Sequence, residues 1–120
     1  MKYLLENQIK SYLQLDKSVE QFIGEIRIGD YACFRWISIV RTKSSYELYV
    51  HEVFDDRNDG IESIYDFSYI EPDDLYGKKI ESFDSLDEAL TTSEKIYNAS
   101  RIKYLTDGYM DEALEKYDEK

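Results

Sequence analysis

The spacing of apolar residues along the chain changes character at two places. In the first stretch Leu5, Ile9, Tyr12 and Leu13 recur at helical spacing, with Glu6, Lys10 and Gln14 on the opposite side, which predicts an N-terminal helix. Asp16 or Ser18 as a cap, Val19, Phe22 and Ile23 as a stripe and Gly24 as a stop predict a further helical turn or two, continuous with the first helix or separate from it. From residue 25 the period becomes two. The segment EIRI (25–28) is a short strand ended by the turn residues Gly29–Asp30. In YACFRWISIVR (31–41), Phe34, Trp36, Ser38 and Val40 alternate with Cys33, Arg35, Ile37 and Ile39. Both sets are largely apolar, so this strand is expected to lie centrally, covered on both faces. YELYVHEVF (46–54) alternates again, DDRNDG makes a turn, and IESIYDFSYI (61–70) is expected to pair back. EPDDLYGKK (71–79) reads as a loop leading to a last short strand at IESF (80–83).

The helical period then returns. Ser85 followed three residues later by Glu88 is a capping box, and Phe83 with Ala89–Leu90 staples the start of the helix. Leu86, Leu90, Ile96 or Tyr97, Ile102 and Leu105 extend an apolar stripe as far as Thr106, with Gly108 as the next stop. A short last helix carries Tyr109, Met110, Ala113, Leu114 and Tyr117. The predicted order is helix, meander, helix. That is a single α+β domain over residues 1–120, with an antiparallel β-meander of about four strands and N- and C-terminal helices packed on one face.

Composition narrows the function. The hydrophobic fraction is 42%, which is too rich for a disordered chain and supports a core. No apolar run approaches the roughly 20 residues of a membrane span, and Glu6, Asn7 and Gln8 interrupt any signal-like start, so a cytoplasmic protein is expected. The single cysteine, Cys33, sits in the apolar strand and reads as a small buried hydrophobe. The net charge of −11 is unevenly distributed. Residues 1–40 sum to zero, whereas residues 45–94 hold fifteen carboxylates against Arg57, Lys78 and Lys79, a net of −12. Such a surface repels nucleic acid and anionic membranes and attracts basic proteins.

Candidate chemistry is sparse. HEVFDDRNDGIES (51–63) holds the only histidine and five carboxylates. With Asp55 at the first position of a calcium loop, Asp59 and Gly60 fit the fifth and sixth, but Arg57 occupies the third, where an oxygen ligand is required, and Asp66 falls at the twelfth. One histidine and one cysteine make no zinc site, so neither metal nor cofactor is expected. His51 and Glu52 are adjacent on a strand and point to opposite faces, which rules them out as a catalytic pair, and neither a nucleophile elbow nor a phosphate loop is present. The twelve tyrosines are the other outstanding feature, and tyrosine supplies rigid contact area at interfaces. Tyr76 lies in a loop between Asp73–Asp74 and Lys78–Lys79.

The segments FRWISIV, YELYVHEVF and FDSLDEAL, over roughly residues 31–100, resemble the layout of small acidic bacterial immunity proteins of contact-dependent inhibition and other polymorphic-toxin systems. The resemblance implies a stoichiometric, non-enzymatic inhibitor that covers the active site of a cognate toxin, often a nuclease with a basic surface. It carries no site residue with it. From charge and loop position, Asp55, Asp56, Asp59, Asp73, Asp74 and Tyr76 are the expected contacts with a basic protein partner. A DNA-mimicking inhibitor of a restriction or CRISPR nuclease is one alternative. A small ligand-binding or enzymatic domain with a pocket near Arg35 and His51 is another, since an arginine within an apolar strand needs a partner if buried. An exposed edge strand would also support a homodimer.

Overall fold

The computed structural model describes residues 2–119. Helix α1 (Glu6–Gln14) is followed by β1 (Val19–Ile28), β2 (Tyr31–Thr42), β3 (Ser45–Phe54), β4 (Lys78–Phe83), α2 (Leu86–Tyr97), β5 (Leu105–Thr106) and α3 (Met110–Asp118). The strands form one antiparallel sheet in the order β4-β3-β2-β1-β5. The class is α+β with a meander, as the pattern predicts, but with five strands among the described residues rather than about four. No helix is long and apolar enough to cross a membrane among the described residues.

β2 is central, and its alternation supplies both sides of the molecule. Ile37 and Ile39, opposite Val50 and Leu48, face α1 and α2, where Ile9, Leu13, Ala89 and Leu90 complete one core. Phe34 and Trp36, opposite Val53 and His51, face the other way and meet Met110 and Leu114 of α3 together with Ile64 and Phe67. The helices therefore lie on both faces, which corrects the expectation of one helical layer. The apolar residues on both faces of β2 require cover on both sides.

Three further expectations fail for local reasons. Residues 19–24 are the start of β1, not helix. A β-bulge between Phe22 and Gly24 inserts an extra residue, so the apolar residues Val19, Phe22, Ile23 and Ile26 fall at helical intervals although the backbone is extended. Residues 61–70 do not form a strand. Only Tyr69 bridges to Val53, while Ile64–Asp66 is a 3₁₀ turn whose amide at Ile64 is taken by Asp111 (2.7 Å). Finally, α2 stops at Tyr97 and does not run to Thr106. Asn98 adopts the left-handed conformation (φ 57°) and caps the helix, and Leu105–Thr106 pairs with Val19–Glu20 as an edge strand. The predicted N-cap holds, with the Ser85 hydroxyl accepting the Glu88 amide at 3.2 Å. Cys33 is fully buried.

Candidate functional site

The six predicted contact residues fall in two separate places. Asp55, Asp56 and Asp59 line an open groove of about 530 Å³, formed where the β1–β2 turn meets the end of β3 and the 3₁₀ turn Arg57–Asp59. Arg27, Asp30, Tyr31 and Phe54 complete its walls. Tyr31 is 65% exposed and stands edge-on to Phe54, with ring centroids 5.5 Å apart. Asp73, Asp74 and Tyr76 are absent from these walls.

The carboxylates in the groove are not equivalent. Asp55 accepts from both Nε and Nη2 of Arg57 at 2.8 Å, and this pairing holds its carboxyl below the ordinary range. Arg57 also reaches Asp118 of α3 and lies over the Phe34 ring, so the pair ties the turn to the body. Asp56 accepts the Ser68 amide at 2.6 Å and closes the loop that follows. These two aspartates therefore organise the chain first. Asp30 and Asp59 are exposed and carry no cationic partner among the described residues.

The second place is the turn 71–77. The amides of Asp74 and Gly77 donate to the carbonyls of Glu71 and Asp74 at 2.9 and 2.8 Å, bracketing the 3₁₀ turn Pro72–Asp74. Leu75 and Tyr76 point outward, 62% and 89% exposed. Gly77 adopts a positive φ of 92° directly against the His51 imidazole, where a Cβ would come within 2.4 Å of the ring Cε1. The turn is thus seated on the sheet at its base and presents two apolar side chains at its tip.

Beneath it lies a buried polar cluster that the sequence did not reveal. The His51 ring stacks on Trp36 at 3.6 Å and 3°. Its Nε2 is 2.9 Å from the Ser38 hydroxyl and its Nδ1 is 2.8 Å from the Tyr69 hydroxyl. Burial pushes its pKa down to about 4, so at neutral pH one hydroxyl donates to the ring and the other accepts. Next along this face, Glu20 of β1 sits opposite Ser38. Its Oε1 accepts from the Tyr65 hydroxyl at 2.7 Å and from the Gly108 amide at 3.2 Å. The same hydroxyl accepts the Met110 amide at 3.0 Å. Burial pushes the Glu20 carboxyl up to about 7. Ser38, His51 and Glu20 have the composition of a hydrolytic site, but each is 5–6% exposed and both ring nitrogens are engaged. Gly77 closes the ring edge, leaving no space there for a substrate atom. The cluster locks β1, β2, β3 and the 64–69 loop together. Glu20 was hidden because the bulged strand mimics a helix, and its alternation with Val19 and Gln21 is the signal that marks it.

Arg35, the other residue expected to border a pocket, has a structural partner. Its Nε donates to Glu52 on β3 at 2.7 Å, in a directly opposed cross-strand pair, and its guanidinium lies 5.5 Å from the Tyr97 ring. Comparison with protein families, curated proteins and solved structures finds no match for this chain.

Proposed function

We propose that the chain is a non-enzymatic, stoichiometric protein-binding inhibitor of the immunity type, whose acidic face docks on a basic partner such as a nuclease-like toxin domain. The observation that carries this reading is an acidic surface joined to outward-pointing aromatics. Between residues 45 and 94, Arg57 and Lys79 are already paired with Asp55 and Glu47, while Asp59, Asp66, Glu71 and Asp73 are exposed. Tyr31 and Tyr76 stand out beside these carboxylates. Carboxylates steer a basic surface into encounter, and desolvated aromatic anchors then hold it. In this reading Asp30 and Asp59 supply the free charge of the groove, Asp73 supplies that of the turn, and Tyr76 is the turn's aromatic anchor. Asp55 and Asp56 shape the groove.

The test is co-expression with the product of the adjacent gene, followed by affinity capture at low and high salt. A one-to-one complex is expected, weakened at least tenfold by Asp59→Lys or Tyr76→Ala and by raised salt. If neither neighbouring gene product, nor any basic toxin domain tried, is retained at low salt, the reading fails. The alternative reading as a ligand-binding or enzymatic domain rests on Arg35, whose guanidinium pairs with Glu52.

A further inference from the structure

The outer edge of β1 is largely uncovered. β5 pairs only with Val19 and Glu20, so residues 21–28 have β2 on one side and, among the described residues, no strand on the other. The two-residue turn at Gly29–Asp30 fixes which groups point outward. In such a hairpin the closing pair, Ile28 with Tyr31, bonds across the ladder, and alternate pairs do the same. Ile26, opposite Cys33, therefore bonds inward, while Glu25 and Arg27 turn their N–H and C=O groups to the open side. The Glu25 amide bears this out. It donates not to β2 but to the Tyr117 hydroxyl of α3, at a long 3.3 Å.

This edge is complementary to itself. An antiparallel copy placed about a two-fold axis at Ile26 sets Ile26 against Ile26, Glu25 against Arg27 and Gly24 against Ile28. Glu25 and Arg27 lie on one face of β1, so each copy contributes one carboxylate and one guanidinium to two crossed pairs. Within one chain the two side chains are only loosely associated, at 3.9 Å, and remain largely exposed. On the other face Ile26 meets its counterpart, and the 45%-exposed Ile28 lies over Gly24 of the second copy. The bonding phase agrees with the charge pattern, because the opposed Glu25 and Arg27 are the residues whose backbone groups face outward. The location also suits self-association. Residues 1–40 sum to zero charge, whereas residues 45–94 hold a net −12 that would repel a second copy.

We infer that the protein forms a two-fold symmetric, concentration-dependent dimer by antiparallel pairing of β1 with β1 of a second copy, centred on Ile26. Tyr117 is its guard. The hydroxyl occupies one of the two edge amides that the second strand must take, that of Glu25, and the bond it makes is weak enough to be displaced. The inference stands apart from the identity of any toxin partner.

The test is sedimentation equilibrium of the full chain over a wide concentration range, with circular dichroism to confirm that each variant folds. The wild type is expected to show a monomer–dimer equilibrium. Glu25→Arg opposes like charges at both crossed pairs and raises the dissociation constant by roughly tenfold or more. Adding Arg27→Glu to that variant restores the complementary pattern in reverse and recovers the wild-type value. Tyr117→Phe removes the competing acceptor and tightens the dimer several-fold. A chain monomeric at every concentration, a dimer indifferent to Glu25→Arg, or a double reversal that fails to restore association overturns the inference.

Discussion

Gly77 and His51 show how one contact serves both the interior and the surface. The glycine holds a positive φ, and the nearest atoms to its missing Cβ belong to an imidazole pinned between Trp36, Ser38 and Tyr69. The ring cannot retreat without breaking two hydrogen bonds and a stack. Gly77→Ala is therefore expected to cost roughly 2–4 kcal/mol, from backbone strain plus overpacking, read as a lower urea midpoint at unchanged slope. The two buried titratable groups act in opposite directions. Glu20 has its pKa raised from 4.5 to about 7, so its contribution to stability is complete below pH 4.5 and is lost as pH rises to about 7. His51 has its pKa lowered from 6.5 to about 4, so its contribution is complete above pH 6.5 and is lost as pH falls to about 4. Between these limits the two slopes offset. Asp107 adds to the rise at Glu20, whereas Tyr65 and the Gly108 amide oppose it. Glu20→Gln removes one arm. Its stability relative to wild type should climb between pH 4.5 and 7, by an amount on the order of 3 kcal/mol, and then level off. Urea titrations at pH 4.5, 6 and 8 would show this; a difference independent of pH would refute it.

At the scale of elements, legibility followed the regularity of the backbone. β2 and β3 are unbroken ladders closed by short turns, and their alternation was plain in the sequence. The start of α2 was plain too, because Ser85 marks it with a single side-chain bond. Ser85→Ala should cost about 1 kcal/mol, measured by thermal or urea unfolding. What stayed hidden depends on an inserted residue or on distant partners. The β1 bulge turns a period of two into apparent helical spacing. Residues 61–70 have strand-like composition, but Asp111, 47 residues away from Ile64, takes the amide a ladder would need. The end of α2 rests on Asn98 adopting a left-handed conformation, after which the Arg101 side chain folds back onto Glu6, Asp87 and Glu94. The acidic groove was half legible. Its aspartates stood out in the sequence, but Tyr31 and Asp30 join it only through the β1–β2 turn.

Across the whole molecule, charge opposes compaction. Folding brings a net −11 into a body with a radius of gyration of 14.0 Å, and the ion pairs that offset it are mostly at the surface. The bridges from Arg101 join α1, α2 and the following loop, but their carboxylates are well exposed, and such pairs contribute about 0–1 kcal/mol each. Salt screens both the bridges and the excess repulsion. Here the repulsion is the larger quantity, because residues 45–94 carry fifteen carboxylates against three bases. Raising the ionic strength from about 0.02 to about 0.3 M should therefore raise the melting temperature, by roughly 2–5 °C. Scanning calorimetry at fixed pH measures it, and a fall in melting temperature with salt would show that the bridges outweigh the repulsion. The same screening should slow association with a basic partner, while leaving pairing through the charge-neutral β1 edge far less affected. Opposed salt responses for stability and for capture of the proposed partner would thus be the whole-molecule signature of a docking surface whose charge is held at a cost to the fold.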